Sequence, residues 1–184
     1  MHLLQHTPQF SAGQAIDIVS EQYGLVITSV SALPSERDQN FLIEASDGKR
    51  FVLKIANALE EPSFLEAQHQ VLTLLSRELT ICPQVVSSRA GESLLSVDSQ
   101  AGTRYIVRLV SYLPGVPLGR LQHHSPELLR DLGRQLGNMD RLLAGFDHPA
   151  CRRTFHWDLA HGVKVVRSHL DKIADPAHCK RVRQ

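Results

Sequence analysis

Apolar side chains recur along the chain at two different periods, and the switches between them predict the elements. In residues 11–24, Ala15, Ile16, Val19 and Tyr23 form a helical stripe, Ser11 and Gln14 make an S-x-x-Q capping pair, and Gly24 closes the segment. This helix is expected to be short and peripheral. The period then falls to two. LVITSVSA (25–32), NFLIEA (40–45) and RFVLKIA (50–56) read as three strands of a meander. The last two are joined by Ser46-Asp47-Gly48, whose Asp-Gly step supplies the positive φ of a tight hairpin. PSERDQN (34–40) is wholly polar and reads as a loop. In the third strand Phe51, Leu53 and Ile55 share one face, which leaves Val52 and Lys54 on the other.

Helical spacing returns after Glu61-Pro62 with Leu65, Leu72, Leu75 and Leu79, a second helix expected to pack on the sheet. Strands follow around QVVSS (84–88), SLLSV (93–97) and TRYIVRLVSYL (103–113), the last so uniformly apolar that a central position is expected. It stops at Leu113-Pro114-Gly115, read as a chain crossing. A third helix from Ser125-Pro126 to Gly145 carries Leu129, Leu132, Leu136, Met139 and Leu143 at steps of three and four. Within it Gly133 and Gly137 would let a neighbouring element approach closely. A last amphipathic stretch holds Val163, Val166, Leu170 and Ile173 before Pro176. An antiparallel sheet with one inserted helix, followed by helices only, is an α+β architecture in two lobes.

Composition narrows the function. The 184 residues suffice for one domain or two small lobes, and 20 Lys+Arg against 19 Asp+Glu argue against a broad basic surface for nucleic acid. No apolar run reaches the ~18 residues of a membrane helix. The first ten residues do not read as a secretion signal, and three widely spaced cysteines outline neither a disulfide framework nor a zinc site, which fits a reducing cytoplasm. Charge is nonetheless uneven, with 8 acidic and 4 basic side chains in residues 1–62 and 2 acidic against 6 basic in 164–184. The basic tail is either a contact for phosphate or an acidic partner, or a solvated helix face.

Four phrases, FLIEASDGKRFVLKI, FLEAQ, RLVSYLPGVPL and FHWDLAHG, occur in this order across most of residues 25–162. Together they resemble the aminoglycoside phosphotransferase/choline kinase superfamily, and within it the hydroxylysine kinase-like branch, whose domains also occur fused to class III aminotransferases. The resemblance implies a protein-kinase-like N-lobe at 25–113 after an N-terminal helical extension (1–24), then the beginning of a helical C-lobe at 114–184. It implies ATP or GTP with magnesium as cofactor, and a hydroxylated amine or amino acid as the acceptor.

Lys54 is the first candidate residue. It projects a cation from a half-buried surface, where an unpaired charge is costly, so an anionic partner is expected. A strand lysine reaching out to water is the plainer alternative. By resemblance Lys54 would hold the α- and β-phosphates and be oriented by Glu66 on the next helix, with Glu60 and Glu61 as other choices. Ser35, Gln39 and Asn40 stand where a kinase covers the phosphates with a glycine-rich turn. This loop has no glycine, however, and Glu36 and Asp38 would repel phosphate unless Arg37 or a metal intervenes. A bare hairpin loop fits the same residues. Ser111, Tyr112 and Leu113 occupy the interlobe hinge, whose backbone would meet the adenine edge.

The family's H-G-D-x-x-x-x-N and D-x-D motifs do not occur in the chain. His156-Trp157-Asp158 imitates the first, but Asn would have to fall at Val163. In the resembling branch W-D-L lies upstream of the catalytic loop. No catalytic residue and no metal ligand is therefore assigned to this chain, and the expectation is a truncated kinase inactive by itself. A metal held by His156, Asp158 and His161 is the sharper reading of that turn, and a helix cap by Asp158 the plainer one.

Overall fold

The computed structural model describes residues 6–153 and 158–182. Their contacts divide the chain into two compact units, Met1–Asp147 and His148–Gln184. Helix α1 (Ala12–Tyr23) begins on the expected capping box, with Ser11 accepting from Gln14 N–H and the Gln14 side chain accepting from Ser11 N–H. It ends at Gly24, φ 70°. Strands β1 (Ile27–Leu33), β2 (Gln39–Ala45) and β3 (Arg50–Ile55) form the antiparallel meander. The β2–β3 turn has Gly48 at φ 80°, as the Asp-Gly step predicted.

After helix α2 (Pro62–Ser76) come the short strands β4 (Val85–Val86) and β5 (Leu95–Asp98), then β6 (Arg104–Ser111). The long apolar strand is central: β6 pairs with β3 on one side and with both β4 and β5 on the other, all antiparallel. The spatial order is β1-β2-β3-β6-β4, with β5 also on β6. Helix α3 (Pro126–Leu143) is capped by Ser125, which accepts from Leu128 N–H.

The period-2 alternation decides which face is core. Phe41 and Ile43 of β2, Leu53 and Ile55 of β3, and Val107 and Leu109 of β6 lie on one face, at most 3% exposed. Helix α1 covers them through Ala15, Val19 and Tyr23, and Phe10 closes the end edge-on to Tyr105 at 5.5 Å. The first helix is thus part of the main core, not the peripheral element its length suggested. Amphipathicity revealed its apolar stripe but not which sheet face that stripe would cover.

Three further expectations change. β2 starts at Gln39, so the polar loop is only residues 34–38, and Gln39 and Asn40 are strand residues. Gly133 and Gly137 have nothing within 4 Å of an added Cβ, so no element uses them for close approach among the described residues. The last amphipathic stretch, Val163 to Ile173, is divided between α4 (Gly162–Ser168) and a 3-10 turn at Leu170–Lys172, and a further helix, α5 (Pro176–Val182), follows it. On α3, Met139, Leu142 and Leu143 pack against a small core of Leu75, Leu79 and Cys82, while Leu129 and Leu136 are half exposed. Cys82 is buried, which pushes its thiol pKa up and leaves it a packing residue.

Candidate functional site

The face opposite the core carries charge. Strand register places Lys54 of β3 opposite Asn40 of β2 on one side and opposite Arg108 of β6 on the other. Residues directly opposite share a face, so a row of Asn40, Lys54 and Arg108 crosses three strands. The Lys54 Nζ donates to Asn40 Oδ1 at 3.2 Å. Arg108 is only 6% exposed, and its Nη2 donates to Gln68 Oε1 of α2 at 2.6 Å. Helix α2 therefore meets the charged face of the sheet.

Two acidic residues act on this row. Asp38, in the β1–β2 loop, interacts favourably with both Lys54 and Arg108, and Glu60, just before α2, with Arg108. Both are also engaged elsewhere. Asp38 Oδ1 accepts from Asn57 N–H at 3.1 Å, and Glu60 lies 3.7 Å from the Arg37 guanidinium. Asn57, 2% exposed, ties the loop to the end of β3, since its Nδ2 also donates to Arg37 O and its Oδ1 accepts from Leu59 N–H. Burial, and then the Arg108 charge, push the Lys54 pKa down, with Asp38 pulling the other way. Burial likewise lowers Arg108, against the pull of Asp38 and Glu60.

The other predicted residues divide. Glu66 is exposed, and among the described residues no ion pair joins it to Lys54. It instead lines a shallow cavity on the side of α2 shared by Gln70, Thr73 and Arg77. The reason is helical geometry, because residues two apart do not face the same way. Gln68, not Glu66, points at the cations. Gln39 has its amide spent on the N-terminal segment, accepting from Phe10 N–H at 2.7 Å and donating to Phe10 O at 2.8 Å. Ser35 is exposed in the loop.

In the hinge, Ser111 N–H donates to Gln84 O, and Ser111 Oγ accepts from Gln84 N–H at 2.9 Å. Tyr112 N–H donates to Arg50 O, and the Arg50 guanidinium lies 4.5 Å from the Tyr112 ring centre. Of the three predicted hinge N–H groups, only that of Leu113 has no partner among the described residues.

Sequence reasoning missed Arg108, Gln68 and Asn57. Arg108 had a signal. An arginine inside an eight-residue apolar strand, on the same alternation phase as Ile106 and Val110, has to point somewhere other than the apolar core. Further along, His156 and Trp157 lie outside the described residues. Asp158 caps the 3-10 turn Leu159–His161 by accepting from Ala160 N–H at 2.9 Å, and its other oxygen is 3.2 Å from His161 Nδ1. This is the plainer of the two readings of that turn.

The model of a phosphotransferase enzyme family, APH, matches residues 29–182. The chain belongs to this family. Among curated proteins, hydroxylysine kinases from Danio rerio and Bos taurus are each 33% identical to it, over 168 and 179 residues. These alignments cover 86% and 89% of this chain but 47% of each relative, so the chain spans about half the length of the curated relatives it matches. Among solved structures, an amicoumacin kinase in complex with AMP-PNP, Ca2+ and Ami superposes with a TM-score of 0.67 at 16% identity, covering 91% of this chain and 49% of that one. A spectinomycin phosphotransferase in complex with ADP and spectinomycin gives 0.62 at 14%, covering 91% and 49%. At such identities the superpositions establish the fold. That fold is the α+β, kinase-like N-lobe architecture expected from the APH resemblance.

Among the described residues no group of three or more His, Cys, Asp or Glu side chains could hold a metal ion. No helix among the described residues is long and apolar enough to cross a membrane.

Proposed function

We propose that this chain is the nucleotide-binding part of an APH-family small-molecule kinase that transfers phosphate from ATP or GTP to a hydroxylated amine or amino acid. In this reading residues 25–113 are the N-lobe and 114–184 the start of the helical C-lobe. The observation that carries it is the state of Lys54. This ammonium is half-buried, its one hydrogen-bond partner among the described residues is the neutral Asn40 amide, and a second buried cation stands beside it. Such a surface favours a polyanion, and a nucleotide polyphosphate is the polyanion that this family uses. The 33% identity to hydroxylysine kinases supports the acceptor class. Leu113, whose N–H has no partner among the described residues, is the hinge residue best placed to meet an adenine or guanine edge.

ATP should raise the thermal midpoint of the purified chain, and Lys54→Ala should abolish the rise while leaving the fold intact. An equal rise in both proteins would remove Lys54 from the phosphate contact. A second reading, a nucleotide-binding domain without catalysis, is favoured by the lack of H-G-D-x-x-x-x-N and D-x-D in these 184 residues. It predicts no ATP-dependent phosphorylation of hydroxylysine by the chain. Turnover that is lost in Asp158→Asn would make the His156-Trp157-Asp158 triplet catalytic instead.

A further inference from the structure

Resting on the nucleotide reading of Lys54, we propose that the anion-attracting element is the pair Lys54 and Arg108, with Arg108 as a positioning residue that Gln68 holds in place by a neutral amide. No carboxylate from α2 neutralises the pair.

Three observations carry this. First, Lys54 and Arg108 are directly opposite in the β3–β6 register, and like charges placed this way repel. Second, Arg108 is buried to 6% exposure, yet of its two terminal nitrogens one is bonded to the uncharged Gln68 oxygen and the other, Nη1, is buried without a hydrogen-bond partner among the described residues. A guanidinium in that position normally recruits a bidentate carboxylate. Third, α2 has a carboxylate two residues away, at Glu66, but turns it outward.

Counting the groups that act on one another, Arg37, Lys54 and Arg108 against Asp38 and Glu60, the cluster keeps a net charge of +1. Too deep to touch a nucleotide itself, Arg108 acts through Lys54. It shares Asp38 with that ammonium, so the carboxylate does not neutralise Lys54 alone, and it adds its own field toward any anion that Lys54 meets. Affinity should therefore grow with the number of phosphates, and a carboxylate introduced from α2 should erase part of that growth.

The test is calorimetric titration of the full chain, with magnesium present, using adenosine, ADP and ATP. Arg108→Gln and Gln68→Glu should each weaken ATP by about tenfold, ADP by less, and adenosine not at all. Gln68→Glu keeps the buried arginine, so the question stays answerable if Arg108→Gln does not fold. If Gln68→Glu binds ATP as the wild type does, or weakens adenosine as much as ATP, the pairing is overturned and Arg108 is a structural residue. A wild type that binds no ATP would instead sink the nucleotide reading itself. A wild type that binds ATP through Lys54, with both other variants unaffected, would sink only the pairing.

Discussion

One face of the six-stranded sheet buries Phe41, Leu53 and Leu109 to 3% exposure or less, whereas the other, one residue away on each strand, carries Asn40, Lys54 and Arg108. The apolar face is closed by α1 and needs nothing further. The charged face is met by α2 through a hydrogen bond between an arginine and an amide, and it retains a buried guanidinium nitrogen with no hydrogen-bond partner among the described residues. A sheet needs only one face to fold, so the free energy spent on desolvating two cations on the other is most simply explained by a ligand. On the proposed function the contrast assigns stability to one set of residues and binding to the neighbouring set, so each should be open to perturbation without the other.

The largest expected effect is on the closed face. Leu53→Ala should destabilise the chain by about 3 kcal/mol in urea unfolding, because it leaves a cavity between α1 and the sheet. ATP should still stabilise whatever fraction folds. A loss as small as that from an exposed site would mean that α1 does not seal this face.

Next comes acid. His69 of α2 is 6% exposed, and burial, then the Arg108 charge, lower its pKa to about 4. The unfolded state takes up a proton near the ordinary value of about 6.5, so the neutral buried ring contributes stability that is complete above that pH. That stability is lost as pH falls toward 4, by an amount on the order of 1–3 kcal/mol. His69→Leu should flatten the decline in thermal midpoint between pH 7 and 4.5. An unchanged decline would place the acid sensitivity in other groups.

Smaller still, Ser11→Ala should cost about 1 kcal/mol by removing one half of the α1 capping box, and helix α1 is where hydrogen exchange should quicken first. The smallest effect distinguishes the two faces most sharply. Arg108→Met should change stability by no more than about 1 kcal/mol in either direction, since a packed apolar side chain replaces a charge that is only partly compensated. A loss as large as that of Leu53→Ala would make Arg108 a structural keystone.

Much of this was legible in the sequence, and the failures share a cause. The hairpin at Gly48, the central place of residues 104–111 and the separation of Lys54 from Leu53 all follow from local patterns, alternation and turn chemistry. What the pattern could not supply was the partner across space. The stripe Ala15, Val19, Tyr23 shows that α1 has an apolar face, but not that it seals the main core. Lys54 shows that a cation needs a partner, but whether Glu66 can supply it depends on the rotation of α2, which instead turns Gln68 to Arg108, and two residues along a helix turn the side chain by about 200°. Arg108 was hidden by its own strand, where five apolar neighbours made burial the dominant message. Gln39 was misplaced because a polar residue at the start of a strand looks like the end of a loop.

The most direct measurement is NMR of the chain with 13C-labelled lysine side chains, the Lys54 signal being assigned by its absence in Lys54→Ala. Before ligand is added, the Lys54 ammonium should titrate below the ordinary lysine range, as its burial and the neighbouring Arg108 require. On addition of ATP the same signal should shift and its titration move upward, whereas adenosine should leave it in place. A Lys54 signal that stays still while ATP binds would contradict the account.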